Sequence, residues 1–132
     1  TVTLMRSRTY MNESGIAVRK VADFSGITPD HLIVVHDEID LDPGRLRIKK
    51  GGGDNGHNGL KSIRVHIRTG DFIRVRVGVG RPPGRQDPAD WVLARVPARQ
   101  RADMDARVAL AADAVEMIIT QGLAATQNRF NS

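Results

Sequence analysis

The sequence has no cysteine, which excludes a disulfide framework and any thiolate metal site. No apolar run approaches the length needed to span a bilayer. The opening residues do not read as a secretory signal, so the expectation is a cytoplasmic protein. Internal repeats and low-complexity segments are also missing. Aromatic residues are scarce, with one Trp, one Tyr and three Phe. Even so, 132 residues that are 40% hydrophobic suffice for one domain with a real core.

Charge of one sign is in excess. Twenty Lys and Arg against fifteen Asp and Glu give a formal net charge of +5. A basic folded domain is a candidate for a polyanionic partner, although net charge by itself is an unspecific sign.

Glycine is concentrated in one stretch, Lys50 to Leu60, where Gly51, Gly52, Gly53, Gly56 and Gly59 surround Asp54, Asn55, His57 and Asn58. Glycine loses the most backbone entropy on folding, so clustering it is costly unless the chain needs positive φ angles or close approach. Leu60, Ile63 and Ile67 then repeat at helical spacing, which places the cluster at a helix N-terminus rich in unsatisfied N–H donors. Either Asn55 or Asn58 could cap that helix. No Gly-Lys-Ser/Thr follows, so this is not a Walker loop, and the spacing is not that of the dinucleotide fingerprint. The plain alternative for Gly51–Gly53 is a surface turn.

The rest of the chain alternates strand-like and helix-like patterns. Residues 1–6 read as a strand. A helix is expected over roughly 13–24, capped by Asn12 or Ser14, with Ile16, Val21 and Phe24 on its apolar side and Gly26 as its stop. Leu32 to Val35 is an unbroken apolar run, as in a buried strand. It ends in the polar stretch His36 to Gly44, at the carboxyl end of a strand, where open α/β sheets bind ligands. Asp37, Glu38, Asp40 and Asp42 suggest a metal site at first sight. Their spacing is not that of an EF-hand, and only His36 supplies a nitrogen. One carboxylate orienting an imidazole is the better reading, and no metal is expected.

Two segments alternate cleanly. Arg45, Arg47 and Lys49 share one face of the first, and Arg74 and Arg76 share one face of the second. Each alone reads as a solvated sheet face. As neighbours flanking the glycine loop, they would form a cationic patch suited to phosphates. Gly78 to Pro88 reads as a loop without catalytic content, and Asp90–Leu93 as a short helical turn. Residues 98–121 form the clearest helix, with a core stripe of Met104, Val108, Ala111, Val115 and Ile118 and a stop at Gly122. The tail from Ala125 reads as polar and uninformative.

Four motifs in order give this pattern a closer likeness: TYMNxSG at 9–15, VHDEIDLxPG at 35–44, GGGxxGHNGL at 51–60 and FxRVRVGVGRP at 72–82, with a closing QNRF. Together they resemble the bacterial peptidyl-tRNA hydrolase family over nearly the whole chain. The resemblance implies an α/β class: a single domain, here residues 1–132, with a twisted mixed sheet flanked by helices. It implies hydrolysis of the ester joining a peptide to tRNA, recycling tRNA from stalled translation. The implied enzyme needs no cofactor or metal and is a monomer, with tRNA as partner and no membrane association. Asp37 matches the aspartate that orients the family's general-base histidine. Asn12 and Asn58 match the amides that bind the tRNA end and position the reacting group, and Tyr10 matches an aromatic position lining that site. Arg47, Lys49 and Arg76 match the clamp for the tRNA 5′-phosphate, and His57 is expected to shape the loop or the binding surface.

The family's first strand and helix, its GNPG loop and its catalytic histidine would precede residue 1. None of His31, His36, His57 or His66 occupies that histidine's position. The 132 residues alone are therefore expected to be inactive. The alternative is a non-catalytic RNA-binding relative of the same fold.

Overall fold

Alternation and apolar runs lay down the sheet. In the computed structural model, which describes residues 2–5, 13–54, 56–80 and 101–131, the strands are β1 (Ile33–Glu38), β2 (Leu46–Lys50) and β3 (Ile73–Gly78). They are hydrogen-bonded in the order β1-β3-β2. Gly51 N–H donates to Phe72 O and Gly78 N–H to Arg45 O, so β2 and β3 run antiparallel. Ile73 N–H donates to Leu32 O and Val79 N–H to Glu38 O, so β1 and β3 run parallel. This is the mixed sheet expected of the α/β class. The helices among the described residues are α1 (Ser14–Ser25), α2 (Asn58–Ile67), α3 (Arg101–Gln121) and α4 (Leu123–Phe130), with a 3-10 turn at Pro29–His31.

The described residues pack as two compact units. One takes in those up to Leu32 together with Lys50–Ile73; the other takes in Ile33–Lys49 and those from Arg74 onwards.

In the first unit, α1 packs on α2 through small residues. Ser14 and Gly15 are the buried positions of α1. Gly15 N–H donates to Ser62 Oγ at 2.8 Å, and Arg19 Nη1 donates to His66 O at 2.7 Å near the end of α2. The expected apolar side of α1 is therefore corrected: Ile16 is exposed and Phe24 is 94% exposed, while Val21 is half-buried. Close approach of two helix backbones needs a missing side chain, and a periodicity of large apolar residues does not register that. Leu60, Ile63 and Phe72 supply the core of this unit. Gly26 ends α1 as expected, but the helix has no side-chain cap at Glu13, and Ser14 lies inside it. Residues 2–5, expected within a strand, carry none, and Val2 and Leu4 are exposed. Alternation gives a segment two faces, but a strand also requires a hydrogen-bonding neighbour.

In the second unit, Leu46, Ile48 and Val75 of the sheet are buried, as are Ala111, Ala114 and Ile118 of α3. The expected α3 stripe is half right. Ala111 and Ile118 are buried and Val115 is half-buried, but Val108 is 60% exposed. The side chain of Met104 lies outside the described residues, as do the loop beyond Gly80 and Asp90–Leu93. β1 continues through Glu38, with Val35 exposed and His36 and Glu38 buried. The tail expected to be uninformative is α4, entered directly from Gly122 at φ 91°. Its Thr126 is fully buried and satisfied by donating to Gly122 O at 2.8 Å. Buried polar groups satisfied within their own helix leave no apolar signal in a sequence.

A Cβ at Gly15 would overlap the Ser62 carbonyl and the His66 ring. We expect Gly15→Ala to destabilise the protein by about 1–3 kcal/mol, the usual cost of overpacking, as a lowered urea midpoint at unchanged m-value.

Candidate functional site

Because successive side chains of a strand alternate, burying Leu46 and Ile48 turns Arg47 and Lys49 to the opposite, exposed face. β3 lies beside β2, and its Arg76 reaches the same cleft. This cleft, about 490 Å³, is lined by Leu41, Arg47, Ile48, Lys49, Arg76, Gln127 and Asn131. The expected neighbouring cationic strands are thus present, with one correction. Arg74 shares the face of Arg76, as alternation in β3 requires, but it is buried at 3% exposure and so adds no solvated charge.

The three cations of the cleft are not equivalent. Arg76 Nη2 and Nε donate to Glu38 Oε1 at 2.7 and 3.1 Å, with side chains only 17% and 7% exposed. Glu38 Oε2 also accepts from Asp40 N–H at 3.2 Å, which ties the turn after β1 to the pair. A pair this enclosed fixes position more than it adds stability, because desolvation offsets most of the attraction. Arg47 and Lys49 are exposed, and among the described residues neither forms a salt bridge. Their charge is therefore available to an anion.

Sequence reasoning missed Glu38, Gln127 and Asn131 here. Asn131 Oδ1 accepts from Ile48 N–H at 2.7 Å and its Nδ2 donates to Ile48 O at 2.8 Å, while Gln127 Nε2 donates to the same carbonyl at 3.3 Å. The signal that could have found them is their i, i+4 spacing, which sets two amides on one helical face.

Asp37 is half-buried in β1. The adjacent His36 Nδ1–H donates at 2.7 Å to the Asp37 carbonyl oxygen, not to its carboxylate, and the ring is buried. His36 is thus engaged with the backbone.

In the other unit, the glycine stretch does take the left-handed backbone expected of it: Gly51, Gly52 and Gly56 have φ of 76°, 97° and 77°. Asp54 shapes the turn. Its Oδ1 accepts from Gly56 N–H at 3.0 Å, and its Oδ2 pairs with Arg64 Nη2 at 2.9 Å. The Gly56 N–H, and after it Arg64, hold the Asp54 carboxyl below its ordinary value, against the opposing effect of burial. The cap of α2 is neither Asn55 nor Asn58 but His57, whose Nδ1 accepts from Leu60 N–H at 3.1 Å. That bond ties the His57 ring to the first turn of α2. Asn58 is the first helical residue, and its side chain is exposed. Tyr10, Asn12 and Asn55 lie outside the described residues.

The family model described as peptidyl-tRNA hydrolase matches residues 1–132. The chain belongs to the peptidyl-tRNA hydrolase family. It is 88% identical over its whole length to the peptidyl-tRNA hydrolase of Cutibacterium acnes, and 51% identical over 96% of its length to that of Mycolicibacterium smegmatis. It spans 66% of the length of each of these relatives. The crystal structure of peptidyl-tRNA hydrolase from Acinetobacter baumannii superposes with a TM-score of 0.82 at 35% identity, covering 94% of this chain and 63% of that one. The α/β fold is therefore that of peptidyl-tRNA hydrolase structures. Among the described residues no helix is long and apolar enough to cross a membrane.

Two outcomes follow from this geometry. Arg76→Ala strands the Glu38 carboxylate and should cost about 3 kcal/mol in chemical denaturation, so any loss of binding in that variant must be measured on folded protein. The folded Asp54 value lies below the ordinary 3.8. Its stabilisation of the turn is therefore complete above that value and is lost as pH falls through the lower, folded one. The protection of the Gly56 amide, taken relative to its intrinsic exchange rate, should fall across that window, and Asp54→Asn should abolish the pH step.

Proposed function

We propose that the natural protein containing these residues hydrolyses the ester bond between peptide and tRNA, returning tRNA from stalled translation. The observation that carries this reading is the exposed pair Arg47 and Lys49 beside Arg76 in one cleft, in a chain that belongs to this family. In the proposal, these three cations hold a phosphate of the tRNA, with Arg47 and Lys49 supplying the uncompensated charge. Asp37 orients the imidazole that acts as general base on water. Asn12 and Asn58 bind the tRNA end and donate to the carbonyl or to the oxyanion that develops from it, a task that suits amides because they do not titrate. Tyr10 lines that site, and His57 holds the turn that presents Asn58.

The reaction so read uses water, a base and positioned amides, with no metal or cofactor. Residues 1–132 belong to one domain of a cytoplasmic, monomeric enzyme. None of their four histidines serves as the base, so these residues by themselves bind tRNA without turnover.

The test is cleavage of peptidyl-tRNA by the natural protein and by the 132-residue piece. Asp37→Ala in the natural protein should lower kcat by about 10²-fold or more, the usual contribution of a positioned base, with tRNA affinity little changed. Turnover by the piece alone would overturn the assignment of the base, and His57 would be the next residue to replace. Binding without turnover by the natural protein would leave an RNA-binding relative in place of an enzyme.

A further inference from the structure

The strand that carries Arg47 and Lys49 is fastened on its outer side by one side chain beyond the closing QNRF motif. The antiparallel register decides which groups need fastening. Residues 45 and 51 of the β2 segment bond to β3 through Gly78 N–H and Phe72 O. Bonded positions alternate along an antiparallel pair, so the odd residues between them, 47 and 49, face β3 with their main-chain groups. Ile48 then turns both its N–H and its C=O outwards, away from β3. Those are the two groups taken by the Asn131 amide, at 2.7 and 2.8 Å, with Gln127 adding a third bond at 3.3 Å.

Asn131 therefore behaves like a one-residue fourth strand, giving one donor and one acceptor in ladder geometry. Its helix is anchored behind it by the fully buried Thr126. The peptide groups it holds lie between the two exposed cations.

We propose that Asn131 is a positioning residue for RNA binding: by clamping both main-chain groups of Ile48, it holds Arg47 and Lys49 at the spacing at which they meet a phosphate. The inference rests on the reading of this cleft as an RNA site. Without the amide, β2 has no further strand on its outer side among the described residues, and its cations must be ordered by the RNA itself at the expense of affinity. A merely protective role, blunting an edge against other chains, would use the same bonds. The two roles differ in whether the effect on RNA depends on the cations.

The experiment is a double-mutant cycle in the natural protein, with tRNA affinity and the KM and kcat for peptidyl-tRNA as readouts. Asn131→Ala should raise the tRNA Kd and KM about 5-fold, the equivalent of one net hydrogen bond, with kcat little changed. In an Arg47→Ala/Lys49→Ala background the same substitution should have no further effect on Kd. An unchanged Kd in the single variant, or an equal loss in both backgrounds, overturns the inference and leaves Asn131 as an edge cover. If Arg47→Ala/Lys49→Ala itself binds tRNA as tightly as the unaltered protein, the RNA reading of the cleft fails and the inference with it. If Asn131→Ala does not fold, Gln127→Ala takes its place in the cycle. It removes a longer bond to the same carbonyl, with an expected rise of about 2-fold and the same dependence on the cations.

Discussion

The pairing of β2 against β3 is the constraint on which the cationic cleft depends. It fixes three things with one register. It sends Leu46 and Ile48 into the core, it sets Arg47 and Lys49 on the open face beside Arg76, and it turns the main chain of Ile48 towards α4. A slip of one residue would exchange the faces, burying two cations and exposing two aliphatic side chains. Burial of Ile48, at 1% exposure, resists that slip from inside, and the Asn131 amide resists it from outside.

Charge in the cleft is graded. Arg76 is held by Glu38 in an enclosed pair, and the same carboxylate accepts from the turn that follows β1. This makes Arg76 as much a strut between β3 and that turn as a source of potential. Arg47 and Lys49 differ because they stand in water without a carboxylate partner among the described residues. Long-range attraction for a polyanion comes from such charges, while an enclosed, neutralised arginine contributes geometry.

The glycine stretch follows another rule. Its left-handed residues make room for a turn whose shape is set by Asp54, and whose exit into α2 is set by the ring nitrogen of His57. Two of the polar residues that look chemically active in the sequence are thus spent on local hydrogen bonds. Asn58, directly after the cap, keeps its side chain exposed. In the same unit, Gly15 serves contact and not conformation, since a side chain there would collide with α2.

Local signals fixed much of this protein in advance. Alternation in Arg45–Lys49 and Phe72–Val77 marked β2 and β3 and the cations that face outwards. The 3.6-residue repeats marked α2 and α3, and glycine marked the ends of α1 and α3. Ordered motifs marked the family. Each is a property of neighbours in the chain, so the sequence alone contains it. Only tertiary structure decided which polar groups are paired off and which stay available. Glu38 neutralises Arg76 from 38 residues away, and Asn131 completes Ile48 from 83 residues away. Phe24 stays in water while Gly15 is buried, because a helix–helix contact rewards the absence of a side chain. Partners so distant are chosen by packing, and no local pattern of residues carries them.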